Sequence, residues 1–252
     1  HRDLHSFPTR RSSDLMAAGM ASGGLKPVVA IYSTFLQRGY DQILHDICLQ
    51  KLPVVLAIDR AGLVGEDGET HQGLFDASFL FDMPNMTVYS PATQQELVHM
   101  LYLAVERGEP AAVRYPRGSL MQAVSSVPVE KGKWEILEPI AEKTVIATGS
   151  MVSVALPVAR KLGAGLINAR TFRPLDDETL EAVKQTAKLV VVMEEGVDCL
   201  GFAVTAAVAP VKVIRMNVSY MEPVTHATVN SQREHCGLTA CALEQCLTEK
   251  TV

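Results

Sequence analysis

From Pro27 onward, short runs of nearly unbroken apolar residues alternate with longer stretches in which apolar residues recur every three or four positions. VVAIY (28–32), VVLAI (54–58), MTVYS (86–90) and AAVRY (111–115) have the length and β-branched content of strands buried on both faces. Between them, DQILHDICLQ (41–50) and the residues from Pro91 to about Arg107 carry helical spacing, the second with Leu97, Met100, Leu101, Ala104 and Val105 on one side. Ser90 before Pro91 predicts the start of that helix, because serine can cap free amides and proline at the first helical position sacrifices no hydrogen bond. Over 116–143 the periodicity lapses around Pro116, Pro128 and Pro139, which predicts an extended linker at 119–143. The rhythm then resumes. TVIATGS (144–150), a helix to about Leu162, GLINA (165–169), a helix over DDETLEAVKQTA (176–187), LVVVMEE (189–195), a helix near 200–209 and VKVIRM (211–216) succeed one another.

This βαβ alternation predicts an α/β protein with two parallel-sheet domains, the first over 16–118 and the second over 144–252, each sheet covered by helices on both faces. In such sheets functional groups gather at the carboxyl ends of the strands. Residues 1–15, HRDLHSFPTRRSSDL, have neither period and read as foreign to the rest of the chain, like a translated sequencing adapter. Their HRDL opens like a kinase catalytic loop, but Pro8 stands where an asparagine is needed, and that reading is rejected. On this view the original protein extended further towards its N-terminus.

Composition narrows the function classes. A net charge of −5 over 252 residues argues against a nucleic-acid surface, which needs a basic excess to displace counterions from phosphates. No apolar stretch reaches the roughly 18 residues of a membrane span, and no signal-peptide pattern is present, so a soluble cytoplasmic protein is expected. Five cysteines, at 48, 199, 236, 241 and 246, form no CxxC pair and suit a reducing compartment. The five-residue steps of Cys236, Cys241 and Cys246 beside His235 do not stack on one helical face, and no metal site is expected.

Candidate chemistry sits where strands end. After the first come Tyr32, Phe35 and Arg38 at three-residue spacing, offering an aromatic surface beside a cation, or a packing cluster with a surface arginine. After the second comes DRAGLVGEDGETHQG (59–73), with glycines at 62, 65, 68 and 73. That glycine content predicts a shaped loop rather than a merely long one, although a solvated acidic tip would read similarly. After the last comes RYPRG, with Arg114 and Arg117. Four arginines, Arg38, Arg60, Arg114 and Arg117, thus arrive at one sheet edge of an acidic protein, and the guanidinium fork suits phosphate or carboxylate oxygens. His71 can donate or accept a proton near neutral pH, and Asp67 can orient it or a substrate hydroxyl. The residues alone support a site for a small phosphorylated or carboxylated ligand.

KPVVAIYSTFLQRGYDQILHD, KLPVVLAIDRAGLVGEDGETHQG and AVRYPRG together resemble the pyrimidine-binding domain of the 1-deoxy-D-xylulose-5-phosphate synthase family, within the transketolase superfamily. NARTFRPLDDETL and VVMEEG resemble that family's C-terminal domain, and the likeness covers about 16–215, weakening beyond Met216. The resemblance implies thiamine diphosphate as cofactor and condensation of pyruvate with glyceraldehyde 3-phosphate, with decarboxylation. It implies that Phe35 stacks on the aminopyrimidine ring and that Arg60 and Arg117 hold the acceptor phosphate. Tyr32, Arg38, Asp67 and His71 would line the reacting carbons and handle protons, with Arg114 structural. It also implies a homodimer, and Mg2+ bound by an N-terminal domain missing from this chain. The glutamate that protonates the pyrimidine ring would align near Arg10, inside the foreign string, so the chain alone is expected to be inactive. The rival readings are the β chain of a 2-oxoacid dehydrogenase, for which Arg60 and Arg117 have no use, and a non-catalytic dimerising module.

Overall fold

The computed structural model describes residues 16–122, 127–219 and 223–249; the string 1–15 lies outside the described residues. Two five-stranded sheets organise the chain. In the first, β1 (Val28–Tyr32), β2 (Val55–Asp59), β4 (Ala111–Arg114) and β3 (Thr87–Tyr89) lie side by side in parallel. In the second, β10 (Lys212–Met216), β9 (Leu189–Met193), β6 (Lys143–Ala147) and β7 (Gly165–Asn168) do the same. Strands β4 and β9 are buried along their whole length, as is β2 up to its last residue, which is why their sequences lack a polar alternation.

Each sheet also carries one antiparallel strand that the purely parallel expectation did not include. β5 (Glu135–Glu138) lies within the stretch read as linker and pairs with β7. β8 (Thr171–Arg173) belongs by position to the second half but pairs with β3 of the first sheet. Only Ala169 and Arg170 separate β7 from β8, so the chain steps directly from one sheet to the other. Three residues are too few to show a period in sequence, which is why this crossing is not legible there.

The crossing is locked by buried charge and by packing. The Arg170 guanidinium, buried, meets Glu96 of the first half at 2.6 Å and Glu135 of β5 at 2.9 Å. Phe172 and Trp134 lie in one apolar cluster with Leu56, Ile58 and Val88 of the first sheet and Ile146, Ile167, Val190 and Val192 of the second. Full burial of a side chain such as Phe172 contributes about 2–3 kcal/mol.

The helices α1 (Asp76–Phe81), α2 (Gln94–Arg107), α3 (Met151–Leu162), α4 (Asp177–Thr186), α5 (Leu200–Val208), α6 (Val229–His235) and α7 (Ala240–Thr248) complete the layers. Two sequence expectations need correction. Helix α2 starts at Thr93 rather than at Ser90, because a capping box lies one turn further on: Thr93 Oγ1 accepts the Glu96 amide at 3.1 Å while Glu96 Oε2 accepts the Ala92 amide at 2.7 Å. The stretch 41–50 is not a regular α-helix but a single turn, Tyr40–Gln42, running into a π-helical segment, Ile43–Cys48, that buries Ile43, Ile47 and Cys48. Among the described residues no helix is long and apolar enough to cross a membrane.

Candidate active site

Parallel register brings the carboxyl ends of β1, β2 and β4 to one edge: Tyr32 lies opposite Asp59, and Ile58 opposite Arg114. Beyond Asp59 the chain turns sharply, with Arg60 in the left-handed region at φ 58°. Gly62 and Gly73 then exchange two backbone hydrogen bonds, at 2.6 and 2.8 Å, and tie 62–73 into a closed loop. Glycine is required at that neck. A Cβ on Gly73 would lie 1.8 Å from the Arg60 carbonyl oxygen, and one on Gly62 would lie 2.6 Å from Glu195 Oε2.

Within this frame most of the sequence-predicted residues meet. Tyr32 and Phe35 stack with centroids 5.4 Å apart, and His71 meets the Phe35 ring edge-on, also at 5.4 Å. The Arg60 guanidinium lies 4.0 Å from the Tyr32 ring centroid. Asp67 stands between two cations: Oδ2 accepts from Arg60 Nε at 3.1 Å, and Oδ1 lies 3.3 Å from Arg117 Nε. Arg60 also pairs with Asp59. Burial works against the charge of Arg60, but Asp59 and Asp67 outweigh it and raise its pKa. His71 Nδ1 lies 2.9 Å from Thr70 Oγ1, and the Thr70 carbonyl accepts from Thr34 Oγ1 at 3.1 Å. Loop and first strand end are thereby joined. Arg38 is exposed on the short turn Gln37–Gly39 beyond Phe35. The position expected to hold the ring-protonating glutamate, near Arg10, lies outside the described residues.

Arg114 is held differently. Its guanidinium makes two bonds to Asp76, at 2.8 and 3.2 Å, with the side chains 6% and 0% exposed, and it lies 5.1 Å from the Phe172 ring centroid. This is a packed internal pair, in keeping with a structural residue.

Several residues that shape the loop carry no periodic or motif signal. Gln72 Oε1 accepts the Val64 amide at 3.1 Å. Gln232, on α6 of the second half, bonds the Gly65 backbone from across the molecule. Glu195 accepts from Ser150 Oγ at 2.9 Å and from Arg233 Nε at 2.6 Å. Its neighbour Glu194 is buried, and burial pushes its carboxyl up to about 7 against three backbone amides that pull it down. Both glutamates belong to the VVMEEG stretch, but their partners are not legible in it. Among the described residues no group of three or more His, Cys, Asp or Glu side chains is placed to hold a metal ion.

Residues 15–122 match the transketolase pyrimidine-binding domain family, and residues 132–243 match the transketolase C-terminal domain family. The second match runs beyond Met216. The chain is 50% identical over 193 residues to the 1-deoxy-D-xylulose-5-phosphate synthase of Clostridium tetani, covering 74% of this chain and 31% of that protein. It is 42% identical over 247 residues to the synthase of the same name from Chromobacterium violaceum, covering 93% of this chain and 39% of that protein. It therefore spans about a third of the length of these curated relatives. Among solved structures, a split-gene transketolase described as an inactive β4 tetramer superposes with a TM-score of 0.86 at 26% identity, covering 95% of this chain and 80% of that one. The transketolase of Campylobacter jejuni has the same fold, with a TM-score of 0.80 at 20% identity, covering 96% of this chain and 38% of that one. The chain belongs to the transketolase family, carrying its pyrimidine-binding domain followed by its C-terminal domain.

Proposed function

We propose that these two domains are part of a thiamine-diphosphate-dependent synthase that condenses pyruvate with glyceraldehyde 3-phosphate, with loss of carbon dioxide, to 1-deoxy-D-xylulose 5-phosphate. The observation that carries this reading is the convergence of Arg60 and Arg117 on one carboxylate, beside the half-exposed Phe35 ring. Two guanidinium groups that already share an anion suit a phosphate ester, whose oxygens offer the same paired acceptors. The names of the curated relatives support the same reaction.

The residues present fit the pyrimidine end of the cofactor: Phe35 offers an aromatic surface for a flat heteroaromatic ring, braced by Tyr32 and His71. When bound, thiamine diphosphate supplies the electron sink. The protein's own part is to bind and orient. Arg60 and Arg117 fix the acceptor phosphate, Tyr32 and Arg38 line the reacting carbons, and His71 and Asp67 hold or move the proton of the acceptor oxygen. Mg2+ and the diphosphate belong to a domain beyond these two, and the assembly is a homodimer. The five free cysteines suit a cytoplasmic setting. These two domains alone are catalytically silent, a reading that the inactive split-gene transketolase supports.

Calorimetric titration separates these statements. Glyceraldehyde 3-phosphate should bind at least about tenfold more tightly than unphosphorylated glyceraldehyde, and Arg60→Gln or Arg117→Gln should erase the difference. Equal binding of the two aldehydes by the unaltered chain overturns the phosphate assignment. Product formed by the chain with thiamine diphosphate, Mg2+ and both substrates overturns the inactivity.

A further inference from the structure

Two arginine–aspartate clusters in this chain have similar chemistry and opposite accessibility. In the Arg114–Asp76 pair both side chains are almost completely buried and the fork is closed on one carboxylate. In the other, a single carboxylate is split between two cations: Asp67 Oδ2 on Arg60 Nε and Oδ1 on Arg117 Nε, at 3.1 and 3.3 Å. Here Arg60, Asp67 and Arg117 keep 24%, 23% and 37% of their side-chain surface. The first pair is inaccessible to any solute, whereas the second faces solvent and its contacts are single and long for charged partners.

We propose that Asp67 is an exchangeable internal anion that occupies the phosphate-binding arginines until a phosphate ester displaces it. The inference rests on the assignment of Arg60 and Arg117 to phosphate binding. With Asp59 and Asp67 in place, the two guanidinium charges are matched by two carboxylates, and an incoming dianion must compete with Asp67 for the same N–H groups. Asp59 adjoins Arg60 in sequence and accepts its backbone amide at 2.6 Å, so it stays with Arg60 when Asp67 leaves. Asp67 lies instead at the tip of the 62–73 loop, on the short turn Gly65–Asp67, four residues before His71. Its release therefore changes the loop that carries His71, which links arrival of the phosphate to placement of the proton-handling side chain. In the empty site Asp67 thereby trades affinity for an ordered pair of arginines, and once displaced it is free for the proton-handling role beside His71.

Binding of inorganic phosphate to the whole chain, measured by calorimetry at constant ionic strength, tests the exchange. Asp67→Asn removes the competing charge with little change of shape, and Asp67→Ala removes the side chain. Both should bind phosphate about tenfold or more tightly than the unaltered chain, and Arg117→Gln combined with Asp67→Asn should lose that gain. If both Asp67 variants bind phosphate no better than the unaltered chain while Arg60→Gln and Arg117→Gln weaken it, the exchange is wrong and the phosphate assignment stands. If the arginine variants bind like the unaltered chain, the phosphate assignment fails and the exchange fails with it.

Discussion

Gln232 clasps Gly65 through both ends of its side-chain amide: Oε1 accepts the Gly65 N–H at 2.8 Å, and Nε2 donates to the Gly65 carbonyl at 3.2 Å. The same Nε2 donates to the Thr225 carbonyl at 2.8 Å. A residue near the end of the second domain therefore completes the backbone hydrogen bonding of a loop in the first. The contact is buried, so neither group of Gly65 has water as a ready substitute.

Replacing Gln232 by leucine should accordingly loosen the loop. The substitution leaves the Gly65 amide unpaired, at a cost of about 1–3 kcal/mol for a buried group, while the Gly65 carbonyl keeps the Gly68 amide at 3.2 Å. Amide exchange over 62–73 is expected to quicken while the strands of both sheets keep their protection. Unchanged exchange in the loop would show that Gln232 is not what holds it.

The buried pair of Arg114 and Asp76 should behave in the opposite sense to an exposed ion pair. Asp76→Ala strands an interior guanidinium and is expected to cost about 3–5 kcal/mol in urea unfolding, whereas Asp76→Ala with Arg114→Met, which removes both charges, should cost less than the single change. Additive losses in the two single variants would argue that the ions do not see each other. Because Arg114 also faces Phe172, whose strand joins the first sheet across the domain boundary, the single variant should further weaken the attachment of β8.

The parts of this architecture that are legible in the sequence are those with a period or a run of several residues. The strands ending at Tyr32, Asp59 and Arg114 arise from unbroken apolar runs, and at the first two ends Tyr32 stacks on Phe35 while Arg60, next after Asp59, covers the Tyr32 ring. The tie between the sheets is not legible, because β8 is three residues long and its neighbour Arg170 looks in sequence like any other charged residue. The loop's supports are hidden for another reason. Gln72 and Gln232 act through amide bonds to backbone atoms, and backbone partners leave no trace in side-chain spacing. The Thr93–Glu96 capping box, by contrast, obeys a readable rule and outcompetes the Ser90–Pro91 start because it satisfies two amides rather than one.

Glu194 predicts a pH dependence of stability that differs in sign from that of a salt-bridged acid. Burial raises its carboxyl from 4.5 to about 7, overcoming the amides of Gly201, Cys199 and Leu200 and assisted by nearby Asp198. The folded chain thus holds this proton more tightly than the unfolded chain. Its contribution to stability is complete below the unfolded value and is lost as pH rises through about 7, a change of about 3 kcal/mol. Glu194→Gln cannot titrate. Its amide places an N–H against one backbone donor, a cost that does not vary with pH, so the comparison lies in the slope rather than in the absolute stability. Urea midpoints measured between pH 5.5 and 8 should fall more steeply for the unaltered chain than for Glu194→Gln. Parallel profiles would mean that Glu194 is already ionised at the lower pH, with its three amide bonds outweighing its burial.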